Sequence, residues 1–264
     1  MKDYPDLSEE TLVRMEDMSW FTSAQIFDDL LIVSQQETAC FVWKTSEGLV
    51  VFDGIWPDAA VYDAIIQAIE AAGWDPDTLC KFVITHGHTD HTGCGKWLVD
   101  GHKVTTYLSR VDDAFWRDNP IKPDRPDTWK DFDIDCYVGE GDTIYCGDKA
   151  IQVISTPGHT PGCLSFFFPV HDRGKAHMAA ILGGSTPPWT DPAGKEVQRQ
   201  SIDHFVAAAR EWGADVLLST HTAFDKGLER IAYSQARLSY MPNIYVLNRE
   251  DFENFCDVYK RIIL

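Results

Sequence analysis

Thr85-His86-Gly87-His88-Thr89-Asp90-His91 is the stretch on which the reading of this chain turns. It sets three imidazoles and one carboxylate within six residues, directly after the apolar run Lys81–Thr85. A short apolar run of this kind predicts a buried strand, and a loop at a strand end can turn closely spaced side chains toward one point. Gly87 is expected to allow an unusual backbone there. Imidazole nitrogens joined by a carboxylate form the donor set that zinc prefers, so the stretch reads as a metal-binding loop.

Two later segments repeat the pattern of a histidine just past a strand. Ser155-Thr156-Pro157-Gly158-His159-Thr160-Pro161-Gly162 follows the apolar run Ala150–Ile154, and Val216-Leu217-Leu218-Ser219-Thr220-His221 ends on a histidine. Alone, each histidine is open to a structural reading, because a Pro/Gly turn often holds one for packing. Beside the first motif, both read as further imidazoles for a zinc site. His102, His171, His177 and His204 lack ligand-type neighbours at a strand end and are expected to serve packing.

With these three segments in place, the chain resembles the metallo-β-lactamase superfamily over residues 20–240. The resemblance implies an α/β fold, an αββα sandwich in which two mixed β-sheets pack face to face with helices on both outer faces. It implies two zinc ions, one on His86, His88 and His159 and the second on Asp90, His91 and His221. It also implies that Asp53 supports the metal loop through hydrogen bonds without being a ligand. Many relatives place a bridging aspartate in the segment Leu182-Gly183-Gly184-Ser185-Thr186, where this chain has none. Ser185 there, with the Asp90-His91-His221 set, is similar to the third subclass of metallo-β-lactamases.

The activity this implies is hydrolysis of a small-molecule substrate, with Asp90 orienting an attacking hydroxide at a carbonyl such as a β-lactam amide and relaying its proton. A β-lactamase would carry antibiotic resistance with it. Ser185 and Thr186 are candidate donors to a substrate carboxylate, and Trp116 and Trp189 candidate apolar walls of the cleft. The alternative is a cytoplasmic lactonase or thioesterase of the same fold. An iron-dependent oxygen-reducing relative is disfavoured because those usually carry Glu at the position of His88. A binding module that has lost its chemistry is disfavoured because all six ligands are present.

The formal net charge of −18, from 23 Lys and Arg against 41 Asp and Glu, disfavours nucleic acid and anionic membrane surfaces as partners. The seven cysteines are odd in number and include no Cys-x-x-Cys pair, so they are expected as free thiols in a reducing compartment. The first residues lack the apolar core of a signal peptide, which predicts a cytoplasmic protein, or a periplasmic one if a leader has been removed. Oligomeric state is left open.

At 264 residues, with 44% hydrophobic and 24% charged, the chain suits one domain spanning 1–264, with a lead at 1–20 and a C-terminal helix in 241–264. Turns at Asp28-Asp29, Ser46-Glu47-Gly48 and Gly147-Asp148 predict three hairpins. Helices are predicted over Ser8–Met18, Val61–Ala72, Ser201–Trp212, Lys226–Ser239 and Arg249–Ile262. Ser201 is the expected N-cap of the third of the five, and Gly73 the C-terminal cap of the second. Residues 117–135, rich in Pro and Asp, predict a long binding loop or lid.

Overall fold

A computed structural model describes residues 17–118, 132–184 and 192–262. The helix expected at Ser8–Met18 falls almost wholly outside the described residues, as do Ser185, Thr186 and Trp189. The first sheet holds β1 (Thr22–Phe27), β2 (Leu30–Ser34), β3 (Ala39–Lys44), β4 (Leu49–Phe52), β5 (Leu79–Val83), β6 (Thr105–Leu108) and β7 (Cys136–Tyr137), in that spatial order. Its first three pairings are antiparallel and its last three parallel. The second sheet runs β12 (Val216–Leu218), β11 (Lys175–Ile181), β10 (Leu164–Asp172), β9 (Lys149–Ser155) and β8 (Thr143–Cys146), with only β11 and β12 parallel. Both sheets are therefore mixed, as expected.

The layer order follows from the period-two alternation of side chains along each strand. Phe41, Trp43, Val50 and Phe52 point between the sheets and meet Phe166, Phe168 and Val170 of the second sheet. Phe52 stacks on Phe168 with ring centroids 4.6 Å apart. Their chain neighbours Cys40, Val42 and Val51 point the other way, onto α1 (Ala59–Ala71) and α3 (Gly95–Gly101). On the far side, Phe167, Ala180 and Leu217 meet α5 (Pro192–Trp212) and α8 (Arg249–Ile262) through Ile202, Phe205, Phe252 and Tyr259. Burying one such side chain contributes roughly 1.5–3 kcal/mol, so all three interfaces are substantial. The result is helix, sheet, sheet, helix: the αββα sandwich.

Local signals account for several boundaries. Asp58 caps α1 by accepting from the Ala60 amide at 2.9 Å, and Gly73 closes it at φ 70°. The β10–β11 hairpin stays paired to its tip, because Arg173 and Gly174, both at positive φ, form a two-residue turn there. Helix α5 starts at Pro192, nine residues before the expected Ser201. Ser201 is no N-cap: from mid-helix its hydroxyl donates to the Pro157 carbonyl at 2.6 Å. The helix expected at Lys226–Ser239 is α7 (Gly227–Ala236), and Lys226, left-handed at φ 55°, separates it from a short turn α6 (Thr222–Asp225) that was not expected. Residues 117 and 118, placed in a loop by the sequence, end helix α4 (Arg110–Asp118). All seven cysteines are free thiols. No helix among the described residues is long and apolar enough to cross a membrane.

Candidate metal centre

Four strands of the sandwich end at one place. Asp53 follows β4, His86 follows β5, His159 follows β9 and His221 follows β12. The leading motif is half loop and half helix. His86 lies in the loop after β5 and His88 on extended backbone, whereas Asp90 and His91 lie on the single helical turn α2 (Thr89–Thr92), closed by Thr92 N–H to the His88 carbonyl at 3.0 Å. Changing period from loop to helix within six residues lets neighbouring side chains face two different points.

The two points are two triads. His86, His88 and His159 form the first, and Asp90, His91 and His221 the second, with the donor atoms of each within 4.8 Å of one another. In the first, His159 Nε2 lies 3.1 Å from His86 Nε2 and 2.9 Å from His88 Nδ1. In the second, His91 Nε2 and His221 Nε2 are 3.1 Å apart, and each is 3.6 Å from Asp90 Oδ2. The His86 and His91 rings, 3.9 Å apart, bring the triads side by side.

Asp53 fixes the protons on this array. It is fully buried and held at φ 59°. Its Oδ1 accepts from the Thr85 amide at 2.7 Å, and its Oδ2 accepts from the Thr85 hydroxyl and from His91 Nδ1, both at 2.8 Å. With its proton committed to Asp53, the Thr85 hydroxyl receives the N–H of His86 Nδ1 at 2.9 Å. Both imidazoles thereby present Nε2 as a lone pair. The backbone of Glu37 bonds the His221 ring, which leaves the Nε2 of His221 facing His91. Neutral Nε2 lone pairs at 3.1 Å repel unless a cation lies between them. The spacing is close to the edge of about 3.3 Å expected for nitrogens at about 2.0–2.1 Å from a tetrahedral zinc. The residues present thus fit the metal.

Burial supports the same chemistry. It pushes His86 well below the usual imidazole range and brings His88 and His221 down to about 4, so these rings are neutral donors at pH 7. Burial also opposes charge on His91, but the carboxylates of Asp90 and Asp53 outweigh it and raise that ring. The second triad is therefore built to hold positive charge.

Outer contacts hold the loops. Gly54 N–H donates to the His91 carbonyl at 2.6 Å, and Cys94 N–H donates back to Gly54 at 3.0 Å. Gly87 is not at positive φ, contrary to expectation. It is required for space, since a Cβ there would lie 2.6 Å from the Asp112 carbonyl oxygen and 3.0 Å from Trp116 Cβ. Trp116 is not a cleft wall either. It is buried against Phe132, and one position earlier on α4 Phe115 approaches His88 with ring centroids 5.5 Å apart. His102, His171, His177 and His204 pair with Tyr62, Asp29, Asp215 and Glu140, as packing residues would.

Sequence reasoning missed Asp112, whose side chain bonds the loops of the first triad. Ser109-x-x-Asp112 has the form of a helix start, and the Ser109 hydroxyl does accept from the Asp112 amide at 3.0 Å. That signal locates α4 but not the target of the carboxylate.

Comparison with known proteins agrees with this geometry. The profile described as "Metallo-beta-lactamase superfamily" matches residues 35–173. The hydroxyacylglutathione hydrolase of Chelativorans sp. strain BNC1 is 34% identical over 111 residues, 42% of this chain and 36% of that protein. The protein of that name from Bradyrhizobium sp. strain BTAi1 is 34% identical over 131 residues, 47% of this chain and 40% of that protein. The matched parts are thus well under half the length of these curated relatives. Among solved structures, BJP-1, a subclass B3 metallo-beta-lactamase of Bradyrhizobium japonicum, superposes with a TM-score of 0.74 at 21% identity, covering 91% of each chain. FEZ-1 from Legionella gormanii does so with a TM-score of 0.75 at 18% identity, covering 92% of this chain and 94% of that one. At those identities the two structures share the fold. The profile match, over more than half of the chain, shows that this protein belongs to the metallo-β-lactamase superfamily of metallo-hydrolases.

Proposed function

We propose that the chain is a dinuclear zinc hydrolase acting on the amide of a β-lactam. In this reading His86, His88 and His159 hold one ion and Asp90, His91 and His221 the other. The observation that carries it is the make-up of the second triad together with the strand end opposite. After β11, a Cβ at Gly184 would lie 2.4 Å from His159 Cβ, and Leu182-Gly183-Gly184-Ser185-Thr186 contains no carboxylate. No bridging acid is offered from that segment, so Asp90 is the carboxylate of the centre.

Bound at the triads, zinc would supply Lewis-acid polarisation of a carbonyl and acidify an attacking water. The chain's own residues do the rest. Asp90 orients the water and takes its proton. Asp53, directly and through Thr85, keeps His91 and His86 in the tautomer that offers Nε2. Phe115, half-buried beside His88, provides an apolar surface at the rim. Ser185 and Thr186 are proposed to donate to a substrate carboxylate.

A second reading is a cytoplasmic lactonase or thioesterase of the same fold, and the name hydroxyacylglutathione hydrolase on the curated relatives supports its thioester form. One experiment separates the two. Purified, zinc-loaded protein is expected to turn over a chromogenic cephalosporin well above background. Background rates with fast cleavage of an acyl-glutathione thioester would overturn the lactamase reading. Metal analysis is expected to give close to two zinc ions per chain. His86→Ala is expected to lower turnover by more than about 100-fold, since losing even an outer partner of a ligand costs about 10–100-fold. The variant should keep the far-UV spectrum of the parent; wild-type turnover would remove His86 from the centre.

A further inference from the structure

We infer that Asp112 is a positioning residue that sets the first triad, through the backbone of the loops that carry its three imidazoles. The inference rests on the proposed metal ligation and goes beyond it. Asp112 lies in the first turn of α4 and is fully buried. Its Oδ2 accepts from the Gly87 amide at 2.8 Å and from the Thr160 hydroxyl at 2.6 Å, and its Oδ1 accepts from the Gly162 amide at 2.6 Å. Gly87 stands between His86 and His88, and Thr160 directly follows His159. One carboxylate therefore bonds to a chain neighbour of every imidazole in the first triad, across 25 residues on one side and 48 on the other.

Space is cleared for this clamp. A Cβ at Gly162 would lie 2.6 Å from the Asp112 amide nitrogen and 2.8 Å from its Oδ1, and Gly87 is equally constrained by the Asp112 carbonyl. Two glycines, on two ligand loops, let α4 close onto both. A carboxylate is an unusual choice for a purely structural clamp. Taking its charge out of water is costly unless the charge is paired, and none of its three bonding partners is a cation. A divalent ion held by His86, His88 and His159 would supply the missing positive charge. Asp53 acts differently: it bonds His91 directly and reaches His86 through Thr85, so it touches both triads.

The test is stepwise cobalt(II) binding to the metal-free full chain, followed by paramagnetic NMR. Shifted imidazole N–H signals tell the three-histidine site from the two-histidine site. Asp112→Asn keeps the shape but turns one acceptor into a donor, facing either Gly162 or the Gly87–Thr160 pair. It is expected to weaken the three-histidine site about 10–100-fold and to leave the other within about twofold. Thr160→Val, which removes one charge-assisted bond, should weaken the same site about tenfold, and Thr160→Ser should restore it. The Thr160 pair carries the test if Asp112→Asn does not fold. Equal loss at both sites, or no loss in either variant, overturns the assignment. Wild-type protein that takes up no cobalt on its three histidines overturns the metal reading itself, an outcome distinct from normal wild-type uptake with an unchanged variant.

Discussion

Asp53→Asn is expected to weaken both metal sites together and to lower turnover by at least about 100-fold, while the metal-free protein stays folded. Asparagine tolerates the left-handed backbone at this position, so the turn survives. What changes is the proton pattern. If the amide oxygen serves the Thr85 N–H, the amide NH2 faces His91 Nδ1 and the Thr85 hydroxyl. His91 then accepts at Nδ1 and carries its proton on Nε2, where it blocks a ligand position. The Thr85 hydroxyl, no longer able to donate to residue 53, donates to His86 Nδ1 and moves the His86 proton in the same way. If the amide turns over, the Thr85 amide faces a donor and the loop before His86 is displaced. Zinc competition against a chromophoric chelator checks both sites. Wild-type affinity at either one would show that Asp53 does not set that tautomer.

Gly93→Ala is expected to be the most destabilising of the glycine substitutions around the centre. Gly93 has φ −36° and ψ −76°, on the right-handed side, so access to positive φ is not the issue. Its added Cβ would lie 1.9 Å from the Ile55 carbonyl oxygen and 2.4 Å from the Trp56 carbonyl carbon. Both are backbone atoms and cannot rotate away. Ile55 is a β-branched residue at φ 49°, already a costly conformation held in place by its surroundings. Overpacking typically costs about 1–3 kcal/mol, and a backbone clash belongs at the top of that range. At about 2–4 °C per kcal/mol, the melting temperature should fall by roughly 6–12 °C. Because Gly54 and His91 are bonded to each other, the shift should also open the second triad and lower its zinc affinity. Gly73→Ala is the control, with φ 70° and nothing within 4 Å of its Cβ. It should cost only the left-handed penalty of about 1–2 kcal/mol. Equal losses in the two variants would refute the close-approach argument.

Much of this was legible in the sequence because the signals are local. Ala39–Lys44 and Leu49–Phe52 pair on either side of the expected Ser46-Glu47-Gly48 turn, since each is apolar and bounded by that turn. The three histidine segments do meet, because each follows a strand and the strand ends gather. What was missed depends on partners distant in sequence or on rotation. Asp112 bonds residues 25 to 50 positions away, and no spacing rule reaches that far. Trp116 and Phe115 differ by one position, which on a helix turns a side chain about 100° and exchanges cleft for core. Helices α3 and α4 run for only seven and nine residues, about two turns each, which leaves too few repeats for a helical spacing to stand out. The early start of α5 did carry a sign, Pro192 at the first helical position, where its missing N–H costs nothing.

Each triad draws on both sheets. His86, His88, Asp90 and His91 follow β5 of the first sheet, while His159 and His221 follow β9 and β12 of the second. An ion on either triad would therefore rivet one half of the sandwich to the other, closing chain loops of 73 and 130 residues at a single point. Binding to the folded form alone adds about 2.7 kcal/mol of stability when free metal is at 100 times its dissociation constant. Chelation should accordingly do more than stop turnover: it should unfasten the mouth of the sandwich and make the strand ends there the first places to open to a protease.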